Sequence, residues 1–261
     1  MELREEELTR YILPLREGGS LPVLGEATDG FRYVVKLRGA GHGKKALISE
    51  LVGGLVAKAF KFRVPELVLL RLDSSFGITE PDEEVQDLLK KSEGLNLGMH
   101  FLSGAATFDP AVNVIDPLTA SRIVWLDSFL TNVDRTRLNP NMMIWHNELW
   151  LIDQGASLYF HHSWRDADEA AMDPFPYIGR HALLPVADRL EEANRLMRQA
   201  ITPRTLCKIV DLIPEEWLRE EGDITAEQRR DAYKRFLTLR LAESELFTRE
   251  AIRQREILLK S

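Results

Sequence analysis

Three polar residues stand in an order that suits phosphoryl transfer. Asp134 and Asn139 lie five residues apart in a polar loop, and Asp153 ends the second of two short apolar strands that follow, within Asp-Gln-Gly. One carboxylate can orient an acceptor hydroxyl and take its proton, whereas a second carboxylate and an amide oxygen can hold Mg²⁺. The order predicts Asp134 as catalytic base and Asn139 with Asp153 as magnesium ligands. In the alternative interpretation, Asp134 and Asn141 cap turns and Asp153 closes a strand.

A lysine near the N-terminus is the candidate for binding phosphate. Lys36 lies within an apolar strand, and Glu50 lies among apolar residues of the helix that follows. A strand lysine paired with a glutamate of the next helix would be held against nucleotide phosphates. A turn upstream, with Gly18, Gly19 and Ser20, could bring backbone N–H groups to phosphate oxygens. The alternatives are a surface lysine with a solvated glutamate, and an ordinary hairpin turn.

A second glycine-rich loop, at residues 38–45 (RGAGHGKK), competes for the role of phosphate loop. It follows a strand and precedes a helix, as in dinucleotide-binding folds. The third glycine of that fingerprint is replaced by Lys44. A Walker-type loop fails as well, since it would need a glycine at Arg38 and a hydroxyl residue at Lys45. A dinucleotide-binding oxidoreductase is therefore a less favoured alternative.

The elements that must position these residues form two parts. Short apolar strands and one main helix are expected in the first hundred residues, at 21–24, 31–37, 47–60 (the helix), 66–72 and 97–102. After residue 116, a strongly apolar helix is followed by strands at 142–145 and 148–152, and the chain beyond 185 is almost wholly helical in pattern. This pattern predicts an α+β fold. Its β-rich N-terminal lobe covers residues 1–102, its larger helical lobe covers residues 103–261, and a cleft separates the two.

Composition limits the classes of partner. The chain has 261 residues and a formal net charge of −7, so its overall field does not favour nucleic acid or an anionic membrane. No apolar run reaches the roughly 18–20 residues of a membrane span, and the first residues are acidic rather than of signal-peptide type. With the single cysteine Cys207, no internal disulfide can form. We therefore expect a cytoplasmic protein.

Several motifs occur along the chain in a characteristic order. They are YVVKL at 33–37, ISE at 48–50, VPE at 64–66, NVDRTRLNPN at 132–141, LIDQGA at 151–156 and IPEEWL at 213–218. Together they resemble the HipA-like kinases, in particular the bacterial subfamily of short HipA-like domains. The resemblance covers nearly the whole chain. It implies a two-lobed protein-kinase-like fold, distantly similar to that of the phosphatidylinositol 3- and 4-kinases.

The resemblance also implies cofactors and further site residues. ATP and Mg²⁺ would be bound, with Lys36 on the nucleotide phosphates and Glu50 orienting it. The segment containing Met99, His100 and Phe101 would form the hinge whose backbone meets adenine. The phosphoacceptor would be a protein serine or threonine, and a small-molecule acceptor stays open. The alternative is a catalytically silent nucleotide-sensing or protein-interaction module on the same fold.

Overall fold

The chain has a mixed α/β structure, with strands concentrated in its N-terminal part and helices in its C-terminal part. A computed structural model describes residues 2–15, 21–73, 76, 80–164 and 166–260. In chain order, the N-terminal elements are β1 (Glu5–Pro14), β2 (Val23–Ala27), β3 (Arg32–Lys36), α1 (Gly43–Ala59), β4 (Leu67–Leu72), α2 (Glu83–Lys91) and β5 (Gly94–His100).

The C-terminal part contains a small three-stranded sheet and a larger set of helices. Its strands are β6 (Ala106–Thr107), β7 (Met142–Trp145) and β8 (Glu148–Leu151). Its helices are α3 (Pro117–Leu130), α4 (Ala167–Ala171), α5 (Leu190–Ala200), α6 (Pro203–Val210), α7 (Glu215–Leu218), α8 (Ala226–Ala242) and α9 (Ser244–Lys260). Over the described ranges, no helix is both long enough and apolar enough to cross a membrane.

The N-terminal strands close into a barrel in the order β1-β2-β3-β5-β4. β1 closes the barrel by pairing in parallel with β4 and antiparallel with β2. The other neighbours in the barrel pair antiparallel. Closure pairs the backbone N–H and C=O groups that an open sheet would leave without hydrogen bonds at its edges. This topology differs from the parallel sheet that a dinucleotide-binding oxidoreductase of the doubly wound type would require.

The alternation of β3 decides where its lysine lies. Tyr33 and Val35 are fully buried in the cluster that fills the barrel. Val34 packs instead against the larger core that includes α1, and Lys36, two residues later, is on the same face of the strand. Lys36 is consequently only 7% exposed. The period of two places this lysine on the face of Val34, and the packing of α1 on that face buries it between the barrel and the helix.

Helix α1 is buried on every side over its central residues. It begins at Gly43, four residues before the expected start, and ends at Ala59. Two adjacent glycines permit close packing: a Cβ on Gly53 would lie 2.6 Å from the Gln154 Cβ, and one on Gly54 would lie 2.8 Å from Leu67 Cδ1. The Gly-Gly pair thus brings the helix against both the barrel and the segment that carries Asp153.

Helix α3 leads the chain into the polar loop that begins at Asn132. Asp116 caps its N-terminus, accepting bonds from the Leu118 and Thr119 N–H groups at 3.1 Å. The helix is buried over most of its length and ends at Leu130, and the next residue, Thr131, has a left-handed φ of +53°. This left-handed residue turns the chain sharply into the loop.

Candidate active site

Lys36 lies between two carboxylates from distant parts of the chain. Its Nζ donates to Glu50 Oε2 at 2.6 Å and also contacts Asp153 Oδ1. Burial acts to lower the pKa of Lys36, but the charges of Glu50 and Asp153 outweigh it and raise the pKa. The ammonium therefore stays charged and links β3, α1 and the segment after β8.

Asp153 is held in an uncommon backbone conformation. Its φ is +53°, and its Oδ1 accepts the Gly155 N–H at 3.3 Å. A Cβ on Gly155 would lie 3.3 Å from both this oxygen and Lys36 Nζ, so a glycine keeps the approach open. Burial acts to raise the pKa of Asp153, but the Lys36 ammonium outweighs it and the net pKa is lowered. Asp153 is therefore a carboxylate, the form that binds a cation.

Asp134 is half-buried and bonded to two amides. Its Oδ2 accepts from Asn139 Nδ2 at 2.7 Å and from Asn141 Nδ2 at 3.1 Å, and its backbone N–H donates to Asn132 Oδ1 at 3.1 Å. Burial raises the pKa of Asp134, the Asn141 amide opposes this, and the charge of Asp153 adds to the rise. A carboxylate with a raised pKa holds an incoming proton more firmly, as a general base requires.

The oxygen atoms around Asp134 and Asp153 suit magnesium better than they suit a metal ion whose ligands all come from protein side chains. The Asn139 and Asn141 amides use their nitrogens on Asp134, which leaves their oxygens as the groups able to face a cation. Within the described part of the chain, no group of three or more His, Cys, Asp or Glu residues could hold a metal. Mg²⁺ is commonly bound by one or two carboxylates, with substrate phosphates and water completing its shell. The residues present fit that mode.

The hinge prediction falls on the end of β5. Met99 and His100 are the last residues of the strand, and Phe101 follows it. The His100 N–H donates to the Glu66 carbonyl at 2.9 Å, and the Phe101 N–H donates to the Arg32 carbonyl at 2.8 Å. Because these two donors are used within the fold, adenine would have to contact other backbone groups of this segment. The hinge therefore stays a prediction.

Of the two glycine-rich loops considered for phosphate binding, the structure describes only one. Gly18, Gly19 and Ser20 lie outside the described residues. In the loop from residue 38 to 45, a Cβ on Gly39 would come within 2.8 Å of Lys91 Cβ and Ser92 Oγ. The absence of a side chain at this glycine therefore allows packing against the end of α2, which accounts for it without a bound pyrophosphate.

Gln154, the middle residue of Asp-Gln-Gly, is a site residue that sequence reasoning missed. It is fully buried, touches the backbone of α1 at Gly53, and its Oε1 lies 3.4 Å from Asn132 Nδ2. The residue joins the segment of Asp153 to α1 and to the loop of Asp134. The signal in the sequence that could have indicated Gln154 was its position between Asp153 and Gly155 of the recognised motif.

A buried charge cluster was also missed. Asp127 is the sole charged residue of the apolar run 123–130, and it contacts both Arg135 and His181 inside the protein. A charged residue in the middle of an otherwise apolar helix is costly unless it is paired, and this was the signal in the sequence. The identity of its partners depended on the tertiary structure.

Comparisons with known proteins support one family. A family model described as HipA-like kinase matches residues 9–251. Among solved structures, the crystal structure of a Helicobacter pylori proinflammatory kinase, CtkA, is similar with a TM-score of 0.56 at 13% identity, over 96% of this chain and 99% of that chain. A search of curated proteins gave no match. The structural similarity shows a kinase-like fold, and because the family model spans most of the sequence, the chain belongs to the HipA-like kinase family.

Proposed function

We propose that this chain is a Mg-ATP-dependent phosphotransferase. Its nucleotide-binding lobe would end at residue 102, and its catalytic and helical lobe would follow. The observation that carries the proposal is the contact of one buried ammonium, Lys36, with Glu50 and Asp153, which stand 14 and 117 residues away from it. A charged lysine fixed between a helix glutamate and a carboxylate suited to metal is the arrangement that positions nucleotide phosphates in kinases.

Each residue has a role that its surroundings support. Lys36 would bind nucleotide phosphates while Glu50 keeps it in place. Asp153 and Asn139 would hold Mg²⁺, and the cation would neutralise charge on the phosphates. Asp134 would accept the proton of the acceptor hydroxyl, oriented by the amides of Asn139 and Asn141. Burial raises the pKa of Asp134 and the charge of Asp153 adds to the rise, which supports placing base and metal ligand at one site.

In the proposed transfer, one bond to phosphorus forms and one breaks. The acceptor oxygen bonds to the γ-phosphorus of ATP, the bond from that phosphorus to the bridging oxygen breaks, and ADP leaves. The hydroxyl proton passes to a carboxylate oxygen of Asp134. On the basis of family membership, the acceptor is proposed to be a protein serine or threonine in the cytoplasm. A catalytically silent nucleotide-binding module would share the first step, nucleotide binding, and lack the transfer.

Ligand-dependent melting tests the nucleotide and the metal together. A ligand that binds only the native state at a hundredfold excess over Kd stabilises it by roughly 2.7 kcal/mol, which corresponds to about 5–10 °C for a domain of this size. We expect this shift with ATP plus Mg²⁺, and not with NAD. Asp153→Asn should lose most of the magnesium-dependent part, whereas Asp87→Asn, at an exposed position in α2, should keep it.

Transfer of labelled phosphate from ATP separates an active kinase from a silent module. Autophosphorylation or phosphorylation of a general protein acceptor, lost in Asp134→Asn, would support the proposal. A Mg-ATP shift with no transfer to any acceptor would favour the silent module. A shift with NAD alone would overturn the kinase assignment and return attention to the loop at residues 38–45.

A further inference from the structure

Arg135, the residue directly after Asp134, reaches two segments of the active site through its side chain. It is 1% exposed. Its Nη1 lies 3.4 Å from the Pro140 carbonyl oxygen, contacts the Asn141 carbonyl oxygen, and lies 3.4 Å from the Ile152 carbonyl oxygen. One guanidinium group therefore spans the end of the polar loop and the residue that precedes the metal-ligand candidate Asp153.

Asp127 of α3 fixes the orientation of this guanidinium. Its Oδ2 accepts the Arg135 Nε–H at 2.6 Å, and its Oδ1 accepts from Asn132 Nδ2 at 3.1 Å. Burial acts to raise the pKa of Asp127, but the charge of Arg135 outweighs it and lowers the pKa. The two charges are thus paired in the interior, which is the condition for keeping both there.

His181 completes the cluster in one defined protonation state. Its Nδ1 accepts the Leu183 N–H at 3.0 Å, so the ring proton is on Nε2, which donates to Asp127 Oδ2 at 2.9 Å. The Arg135 carbonyl in turn accepts the Ala182 N–H at 3.0 Å. The backbone of Arg135 is therefore anchored directly to the segment around His181, and its side chain is anchored to it through Asp127.

We propose that Arg135 is a positioning residue that sets the placement of Asp153 relative to Asp134, and that Asp127 and His181 hold it in place for this purpose. The proposal rests on the proposed phosphotransferase function. Asp153 has a left-handed backbone conformation, which costs free energy and persists only when its surroundings enforce it. The bond from Arg135 to the Ile152 carbonyl is one such constraint, applied at the residue before Asp153.

The variant Arg135→Lys distinguishes a positioning role from a contribution to stability alone. Arg135→Lys keeps the positive charge beside Asp127 but cannot reproduce the planar donor set of the guanidinium. The matched control is Arg229→Lys in α8, since Arg229 is also buried and also donates to backbone carbonyls, those of Leu218 at 2.8 Å and Glu220 at 3.4 Å. His181→Leu is a second variant, because leucine cannot donate to Asp127 and so removes one of the bonds that orient the carboxylate holding Arg135.

The readouts are thermal unfolding, binding of Mn²⁺ in the presence of ATP by electron paramagnetic resonance, and phosphotransfer as a function of Mg²⁺. We expect Arg135→Lys to unfold cooperatively and to bind Mn²⁺·ATP roughly tenfold or more weakly, a usual effect for residues that orient metal ligands. The Mg²⁺ concentration for half-maximal transfer should rise by a similar factor. Arg229→Lys should lower the melting temperature and leave both metal measurements at wild-type values.

Three results would overturn the proposal. One is wild-type Mn²⁺·ATP affinity in a folded Arg135→Lys, and another is equal weakening in Arg229→Lys. The third is a wild-type protein that binds no Mn²⁺·ATP, since Arg135 would then have nothing to position. Wild-type binding without any transfer would refute the proposed phosphotransferase activity alone, while weaker binding in Arg135→Lys would still support its positioning role. If Arg135→Lys does not fold, His181→Leu should weaken Mn²⁺·ATP binding, and wild-type affinity in that folded variant would overturn the proposal.

Discussion

Gly53 of α1 lies directly against Gln154, so closely that a Cβ on Gly53 would come within 2.6 Å of the Gln154 Cβ. α1 carries Glu50 on the turn before this contact, and Gln154 follows Asp153. The contact therefore limits how closely α1 approaches the segment of Asp153, and so helps to set the distance between Glu50 and Asp153, the two carboxylates that contact Lys36.

Gly53→Ala should reduce phosphotransfer far more than Gly54→Ala. Both substitutions remove a glycine from the same helix and gain similar helix propensity, about 1 kcal/mol. The new methyl group at 53 meets the rigid stem of Gln154, whereas at 54 it meets the end of the flexible Leu67 side chain. We expect at least a tenfold loss of kcat/KM for Gly53→Ala alone. Equal activity of the two variants would show that the α1 contact is not critical.

Variants of Lys36 and Glu50 should differ in stability while both lack activity. Lys36→Met leaves Glu50 buried without its cation, and breaking a buried pair in this way typically costs about 3–5 kcal/mol in the free energy of unfolding. The double variant Lys36→Met/Glu50→Gln removes the unpaired charge, so urea unfolding should show part of the stability regained. Phosphotransfer should stay at background in both proteins, because the ammonium proposed to bind phosphate is absent. Activity in the double variant would remove Lys36 from the site.

Asp134→Asn should abolish turnover while nucleotide binding persists. The neutral amide cannot take the acceptor proton, and general-base contributions are on the order of 10²–10⁴-fold. Because the pKa of Asp134 is raised by burial, wild-type activity should also fall as the pH drops and this carboxylate becomes protonated. Phosphate transfer and ATP affinity measured side by side would check both statements, with Asp87→Asn as the exposed control. An Asp134→Asn protein with normal turnover would assign the base elsewhere.

Stability should decline as the pH falls below about 6.5. Burial lowers the pKa of both His161 and His181, so each is neutral in the folded protein. Unfolding lets them return to the ordinary histidine pKa near 6.5, where the unfolded chain takes up protons and is favoured. At pH 5.5 His161, whose pKa is lowered well below the ordinary value, would account for a loss of about 1.4 kcal/mol relative to pH 8, and His181 would add to the loss in the same direction.

Urea unfolding at several pH values, together with NMR titration of the imidazole carbons, measures this effect. The stabilising contribution of His161 and His181 should be complete above about pH 7.5 and should decrease steadily toward pH 5.5. The NMR signals of His161 should stay in the neutral position at pH 5.5, where an unperturbed histidine is about nine-tenths protonated, and those of His181 should titrate below pH 6.5. Titration of both residues at or above pH 6.5 would contradict the expectation.

Much of the local structure could be predicted from the sequence because it depends on short-range patterns. Alternating apolar residues around Val35 identify β3, and Asp116 followed by Pro117 marks the start of α3. Strand ends shifted by a few residues: the strand expected at 97–102 runs over Gly94–His100. Pairing with β3 and β4 sets those ends, and a local pattern cannot supply this information.

The order of Asp134, Asn139 and Asp153 along the chain also follows from the sequence alone, as does the family resemblance it carries. Whether Lys36 faces Glu50 or solvent did not follow, because a period of two leaves both faces of β3 open. Only the closed barrel and the packing of α1 decided between them. The meeting of Asp127, Arg135 and His181 likewise required the fold, since residues separated by up to 54 positions become neighbours only through tertiary packing, and burial then makes their pairing obligatory.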